Sequence, residues 1–224
     1  MSVQNPVHIG QVIRNAVVFD FKNWTGGLAL ANPDTLLQTV PRFFVLLDER
    51  AIDYVLVGGV ALLRYVEGRN TQGISLIMAL SALKKLPKIK IQSQEEDFAR
   101  GDFEGLQIDI LLARNPLFDR VRAEHVTKQE LMEREIPTAT VEGLLLLKLY
   151  ALPPLYRQGN FAKVGLYEND VATLMHAFNP AMTPLFETLK SYVSEGEMVE
   201  LRKIVQEIEQ RLERFQKSAR EKAS

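Results

Sequence analysis

Cysteine is absent from the 224 residues. That excludes disulfide frameworks, thiolate metal centres and cysteine nucleophiles, and it sets the expectation of a reducing, cytoplasmic location. Histidine is nearly as scarce: His8, His125 and His176 stand in unlike contexts without paired-ligand spacing, so no zinc site is expected. No sign of charge dominates either. Lys and Arg number 27 against 28 Asp and Glu, so no molecule-wide field would draw the chain onto nucleic acid or an anionic membrane. Such binding would need a local patch, and Lys84, Lys85, Lys88 and Lys90 offer one, although a solvated loop reads the same way. No apolar run reaches the roughly 20 residues that span a bilayer, and the N-terminus lacks the basic start and apolar run of a secretory signal, so no membrane partner is expected. Repeats and low-complexity tracts are also missing. What is present is 46% hydrophobic residues, enough to bury the core of one ordinary domain with a helical extension.

Residues 1–30 form an N-terminal segment of unclear role, with a short helix expected around Val12 to Val18. Asn32-Pro33-Asp34 then starts a helix, because Asp caps free backbone donors and Leu36, Leu37, Val40, Phe43, Phe44 and Leu47 recur at helical spacing up to Glu49 or Arg50. Tyr54-Val55-Leu56-Val57 reads as a strand stopped by Gly58-Gly59, and Ala61 to Val66 reads as a helix closed by Gly68. Further strands are expected at Ile74 to Met78 and at Leu106 to Leu112, with a charged, exposed connection between them. Beyond Pro116 the pattern turns helical. Thr140-Val141-Glu142 opens a strongly apolar helix through Leu144, Leu145, Leu147, Leu149 and Leu152 that Pro153-Pro154 should stop, and another helix should cover Glu168 to Ala177. From Glu195, Met198, Leu201, Val205, Ile208, Leu212 and Phe215 alternate three and four residues apart, the spacing of a helix packed on its own domain or of a coiled-coil seam to a partner or second copy.

The informative stretch is Tyr54 to Met78, YVLVGGVALLRYVEGRNTQGISLIM, taken with the strand around Asp109. A glycine pair after a strand is usually a tight turn, yet glycines at a strand-to-helix turn also let backbone amides approach phosphate oxygens. Asp109, flanked by Ile108 and Ile110, is either an edge residue facing water or a carboxylate in a cleft.

This stretch resembles the nucleotidyltransferase signature of the polymerase-beta superfamily. There a strand ends in Gly-Gly or Gly-Ser, a helix follows, and a later strand carries Asp-x-Asp or Asp-x-Glu between apolar residues. Gly58-Gly59 supply the pair, thirteen residues (60 to 72) separate it from the acidic strand, and Gly73 and Ser75 stand where the two acids belong. Arg69 and Thr71 match the Arg-x-Thr of the toxin and abortive-infection branch, and Asp109 matches the third carboxylate. The second half is similar to that branch as well: Ile136-Pro137-Thr138, the Leu-rich helix bearing Lys148, then Arg157, Lys163 and Asp170. The resemblance implies that Gly58, Gly59, Arg69, Thr71 and Lys148 bind nucleotide, that Asp170 fixes a helical wall, and that Asp109 holds metal.

By the same resemblance the fold is α+β, a nucleotidyltransferase fold with a small mixed sheet, flanking helices and a C-terminal helical region. The expected domains are an α/β core over 31–130 and helices over 131–224. The implied activity is Mg2+-dependent transfer of a nucleoside monophosphate from a nucleoside triphosphate to a hydroxyl on RNA or protein. Two magnesium ions need several anionic oxygens. Gly73 and Ser75 supply none, so we expect impaired catalysis, the pocket's shape surviving with little or no transfer. Rescue would need Glu67, Asp102 or Glu104 to stand in. The alternative is a non-catalytic nucleotide- or partner-binding module, such as a pseudoenzyme or a toxin–antitoxin component.

Overall fold

The computed structural model describes residues 36–66, 71, 73–131 and 134–223. The N-terminal segment with its expected helix, the Asn32-Pro33-Asp34 start, Glu67, Gly68 and Arg69 lie outside the described residues, as does the side chain of Phe215. Two compact units divide at Thr140 and Val141.

The first unit is built on a sheet of seven described strands. In chain order its elements are α1 (Leu36–Glu49), β1 (Tyr54–Val57), α2 (Gly58–Leu62), β2 (Gly73–Met78), α3 (Leu80–Leu83), β3 (Lys90–Gln94), β4 (Phe98–Phe103), β5 (Leu106–Leu112), α4 (Pro116–Glu124), β6 (Val126–Leu131) and β7 (Arg134–Ala139). The strand order is β3-β4-β5-β2-β1-β7-β6, with β2 parallel to β5, β1 parallel to β7, and the other neighbours antiparallel. The sheet is therefore mixed, as expected of an α+β chain.

Alternation sorts its two faces. One presents Leu56, Leu76, Ile110 and Ala99, then Ile74, Ile108 and Gly101, all buried. Helix α1 covers it through Phe43, which meets Phe103 with ring centroids 5.4 Å apart, and Phe44, which meets Tyr54 at 6.2 Å. The opposite face is split. Val55, Ile77 and Leu111 are buried at one end, where Phe118 of α4 stands edge-on to Phe98. At the other end Ser75, Asp109, Gln107, Asp102 and Arg100 stay partly or largely exposed. Helix α4 starts where Asn115 accepts from the amides of Leu117 and Phe118, with Pro116 in the first turn, where its missing N–H costs nothing.

The structure departs from the sequence expectations in five places. The connection between β2 and β5 contains two strands, β3 and β4. A two-residue loop of Glu104 and Gly105, both at positive φ, joins β4 to β5. The stretch after Pro116 is only partly helical, since β6 and β7 follow α4 as a hairpin at the far edge of the sheet. Helix α2 begins at Gly58 itself and ends at Leu62, short of the expected Val66.

The other two departures lie in the second unit, which comprises α5 (Val141–Arg157), α6 (Phe161–Phe178), α7 (Met182–Leu189) and α8 (Glu195–Ala223). Helix α5 runs through Pro153 and Pro154 to Arg157. Each interior proline costs about 3 kcal/mol, but Leu145, Leu149, Leu152 and Leu155 are all buried, and each such side chain returns about 1.5–3 kcal/mol. Helix α6 likewise starts earlier than expected, at Phe161, where Asn160 caps the amide of Lys163. On α8 the stripe of Met198, Leu201, Val205 and Ile208 is buried within its own unit, against α5, α6 and α7. No described helix is long and apolar enough to cross a membrane.

Helix α8 opens with a reciprocal cap. The Ser194 amide and hydroxyl both donate to Glu197, whose own amide donates back to the Ser194 hydroxyl. The Arg157 guanidinium, then the Ser194 amide and hydroxyl, push the Glu197 carboxyl down to about 2. A depressed carboxyl stabilises the fold above its unfolded value and loses that contribution as pH falls through the folded one. Glu197→Gln is therefore expected to cost about 1 kcal/mol at neutral pH. In urea titrations at stepped pH, the gap to wild type should close between about pH 4.5 and about pH 2.

Candidate functional site

The polar end of the split sheet face is organised by strand register. Ser75 pairs with Val57 on one side and with Asp109 on the other, and Asp109 pairs in turn with Arg100. Arg100, Asp109 and Ser75 thus form one rung with side chains on the same face. The next rung on that face holds Asp102, Gln107 and Gly73. Strand β1 ends at Val57, so Gly58 falls at the end of the first rung.

Gly58 takes φ +68°, and a Cβ there would sit 2.6 Å from the Ser75 hydroxyl oxygen. Only glycine fits that conformation and that gap without strain. Gly59 lies as closely against Thr71: a Cβ would come within 2.8 Å of the threonine Cβ and Oγ1. The Thr71 hydroxyl in turn donates to the Gly73 carbonyl at 3.1 Å. The glycine pair, Thr71, Gly73, Ser75 and Asp109, all singled out in the sequence, are thereby brought together in the first unit.

Arg100 and Gln107 were not singled out, and they change the chemistry. The Nε of Arg100 donates to Asp109 Oδ1 at 2.7 Å, and the Gln107 amide donates to Oδ2 at 3.1 Å. Both carboxylate oxygens are engaged, and the charge is matched by a guanidinium. Asp109 is 23% exposed and Arg100 49%. The two were detectable in principle: β4 and β5 both alternate between polar and small or apolar residues, which aims Arg100, Asp102, Gln107 and Asp109 at one face.

A pair of magnesium ions does not fit this donor set. Gly73 has no side chain, Ser75 is neutral, and Asp109 is already neutralised. Asp102 accepts from the Gly105 amide within its turn, Glu104 pairs with Arg42, and Glu67 is outside the described residues. Among the described residues no three of His, Cys, Asp and Glu gather as a metal site. A hard dication would have to displace Arg100 to gain a single carboxylate.

Lys148 belongs to the second unit. Its ammonium lies 2.8 Å from Asp170 and 3.7 Å from the centre of the Tyr167 ring, with side-chain exposures of 6% for the lysine and 2% for the aspartate. Within that unit the pair is a buried, charge-balanced contact between α5 and α6.

No family model and no curated protein matches this chain. Among solved structures it is similar to an antigenic nucleotidyltransferase-like protein from Paracoccidioides brasiliensis, with 18% identity and a TM-score of 0.53, over 81% of this chain and 90% of that one. It also aligns with the antibiotic-resistance factor ANT(2'')-Ia at 11% identity and a TM-score of 0.49, over 83% of this chain and 98% of that one. The first likeness shows the fold, that of a nucleotidyltransferase.

Two outcomes follow from this geometry. A Cβ at Gly73 would approach the backbone oxygen of Gln107 to 2.5 Å, so Gly73→Asp should lower unfolding free energy by about 1–3 kcal/mol, measured by urea denaturation. Removing one member of a buried ion pair costs about 3–5 kcal/mol whereas replacing both is often nearly neutral. Lys148→Met should therefore destabilise strongly, and Lys148→Met with Asp170→Leu should recover most of the loss in the same assay.

Proposed function

We propose that this chain, a protein of nucleotidyltransferase fold, is a nucleotide-binding module that works without metal and has lost nucleotidyl transfer. One observation carries the reading: of the three carboxylate positions implied by the resemblance, Gly73 and Ser75 are uncharged, and Asp109 is held by Arg100 and Gln107. Three unpaired carboxylates would repel a triphosphate until cations arrived. Here the positive charge of Arg100 balances Asp109, so polyphosphate meets a charge-matched pair beside a glycine turn. Transfer needs an activated acceptor hydroxyl and a stabilised leaving pyrophosphate. Among the described residues no dication site forms, so an RNA or protein acceptor would bind without being modified.

The ligand on this reading is a nucleoside triphosphate, and the output is binding to a protein partner. The Arg69-x-Thr71 likeness to the toxin and abortive-infection branch favours a toxin–antitoxin component as the setting. Titration calorimetry with each of the four ribonucleoside triphosphates should give one site whose Kd differs by less than about threefold between magnesium and EDTA buffers, a difference of about 0.65 kcal/mol. Incubation with radiolabelled triphosphate and total RNA or protein should leave both unlabelled. Magnesium-dependent labelling that disappears in Asp109→Asn would overturn the proposal.

A further inference from the structure

We propose that Arg100 is the built-in cation of this site, taking the place a divalent metal holds in a working nucleotidyltransferase, and that it grips the polyphosphate of a nucleoside triphosphate directly. The inference rests on the nucleotide-binding reading above and deepens it by naming the group that replaces the metal.

Three observations carry it. First, Arg100 is placed by register: it pairs with Asp109 across β4 and β5, and Asp109 pairs with Ser75 across β5 and β2, so its guanidinium shares a face with both acidic-motif positions. Second, only Nε is committed. It donates to Asp109 Oδ1 at 2.7 Å, while the two terminal nitrogens donate to no other described residue and the side chain is 49% exposed. A guanidinium anchored at Nε presents its two terminal nitrogens as a fork, the geometry that holds two phosphate oxygens at once. Third, the anchor is itself fixed, because Gln107 donates to the other oxygen of Asp109 at 3.1 Å. Asp109 thereby becomes a positioning residue for an arginine.

The surroundings suit a chain of phosphates. The Ser75 hydroxyl lies in the same rung and the Gly58 turn closes that rung. Lys90, exposed at the start of β3, is the register partner of Asp102 one rung further on the same face, so a carboxylate and then a second cation follow along the line.

A metal site and an arginine site answer the loss of the carboxylate oppositely. In a metal site Asp109→Asn removes the cation and weakens nucleotide binding. In an arginine site it removes the competing anion, and binding holds or tightens. The experiment is calorimetric titration of the full chain with ATP and with inorganic triphosphate, in EDTA and in magnesium, using wild type, Arg100→Gln, Arg100→Lys and Asp109→Asn, each checked for a wild-type circular dichroism melt. The expected result in EDTA is at least tenfold weaker binding for Arg100→Gln, a several-fold loss for Arg100→Lys, which keeps the charge without the fork, and binding at least as tight as wild type for Asp109→Asn. Should Arg100→Gln fail to fold, Arg100→Lys decides. Unchanged binding in the arginine variants, or binding in Asp109→Asn that is weaker than in wild type, would overturn the inference. A wild-type chain that takes up no triphosphate in either buffer would instead remove the nucleotide-binding reading itself.

Discussion

The pairing of Arg100 with Asp109 sets the electrostatics on which every functional statement about this protein depends. As a stabilising contact it counts for little, since a half-exposed ion pair contributes about 0–1 kcal/mol. Its effect lies in the sign of the local charge. Strand register places the pair in one rung with Ser75 and next to the Gly58 turn, so a guanidinium shares the face on which the matched carboxylate stands. With glycine at 73 and serine at 75, the carboxylate of Asp109 meets its countercharge on the neighbouring strand.

The scaffold holds its register without help from this rung because the two faces of the sheet do separate work. Leu56, Leu76, Ile108 and Ile110 pack against α1 on the far face and are fully buried, which anchors the register irrespective of what projects from the near one. Adjacent carboxylates on neighbouring strands repel each other, so their absence relieves the fold of a cost. With the Gln107 carbonyl 2.5 Å from where a Gly73 Cβ would stand, an acid can no longer be placed there without moving β2 away from β5. The change at position 73 is thus built into the packing of the sheet.

Much of this site was legible in the sequence because its central elements obey simple patterns. Tyr54–Val57 and Leu106–Leu112 are short runs of apolar and β-branched residues bounded by turn glycines, and both are strands as read. The glycine pair, Ser75 and Asp109 came from motif spacing, and register brings them together. The edges were harder. Strand β3 is exposed along its whole length and β4 carries Arg100 and Asp102 on one side with Ala99 and Gly101 on the other, so neither shows a hydrophobic run, and the connection read as a charged loop. Arg100 was lost with it, since a basic residue in an apparent loop carries no signal until pairing sets it opposite Asp109. Proline was misleading for the converse reason: Pro153-Pro154 is a strong local stop, but the leucines before and after it are buried and tertiary packing carries α5 onward.

A cation that belongs to the chain alters what binding can report. Where metal and nucleotide must arrive together, occupancy depends on the concentrations of both, and an empty site is negative and discourages the ligand. On the proposed reading, arginine presets the site and occupancy follows the triphosphate alone. The arginine also brings direction, because a planar fork held at Nε selects an orientation of the phosphate that a hydrated sphere of charge does not. The limit on such a site is screening: Arg100 is 49% exposed, so its attraction for polyphosphate falls as ionic strength shortens the Debye length to about 8 Å at physiological salt. On the proposed reading, only contacts within the rung itself discriminate a triphosphate from other anions beyond that range, which gives the glycine turn and the Ser75 hydroxyl their part beside the arginine.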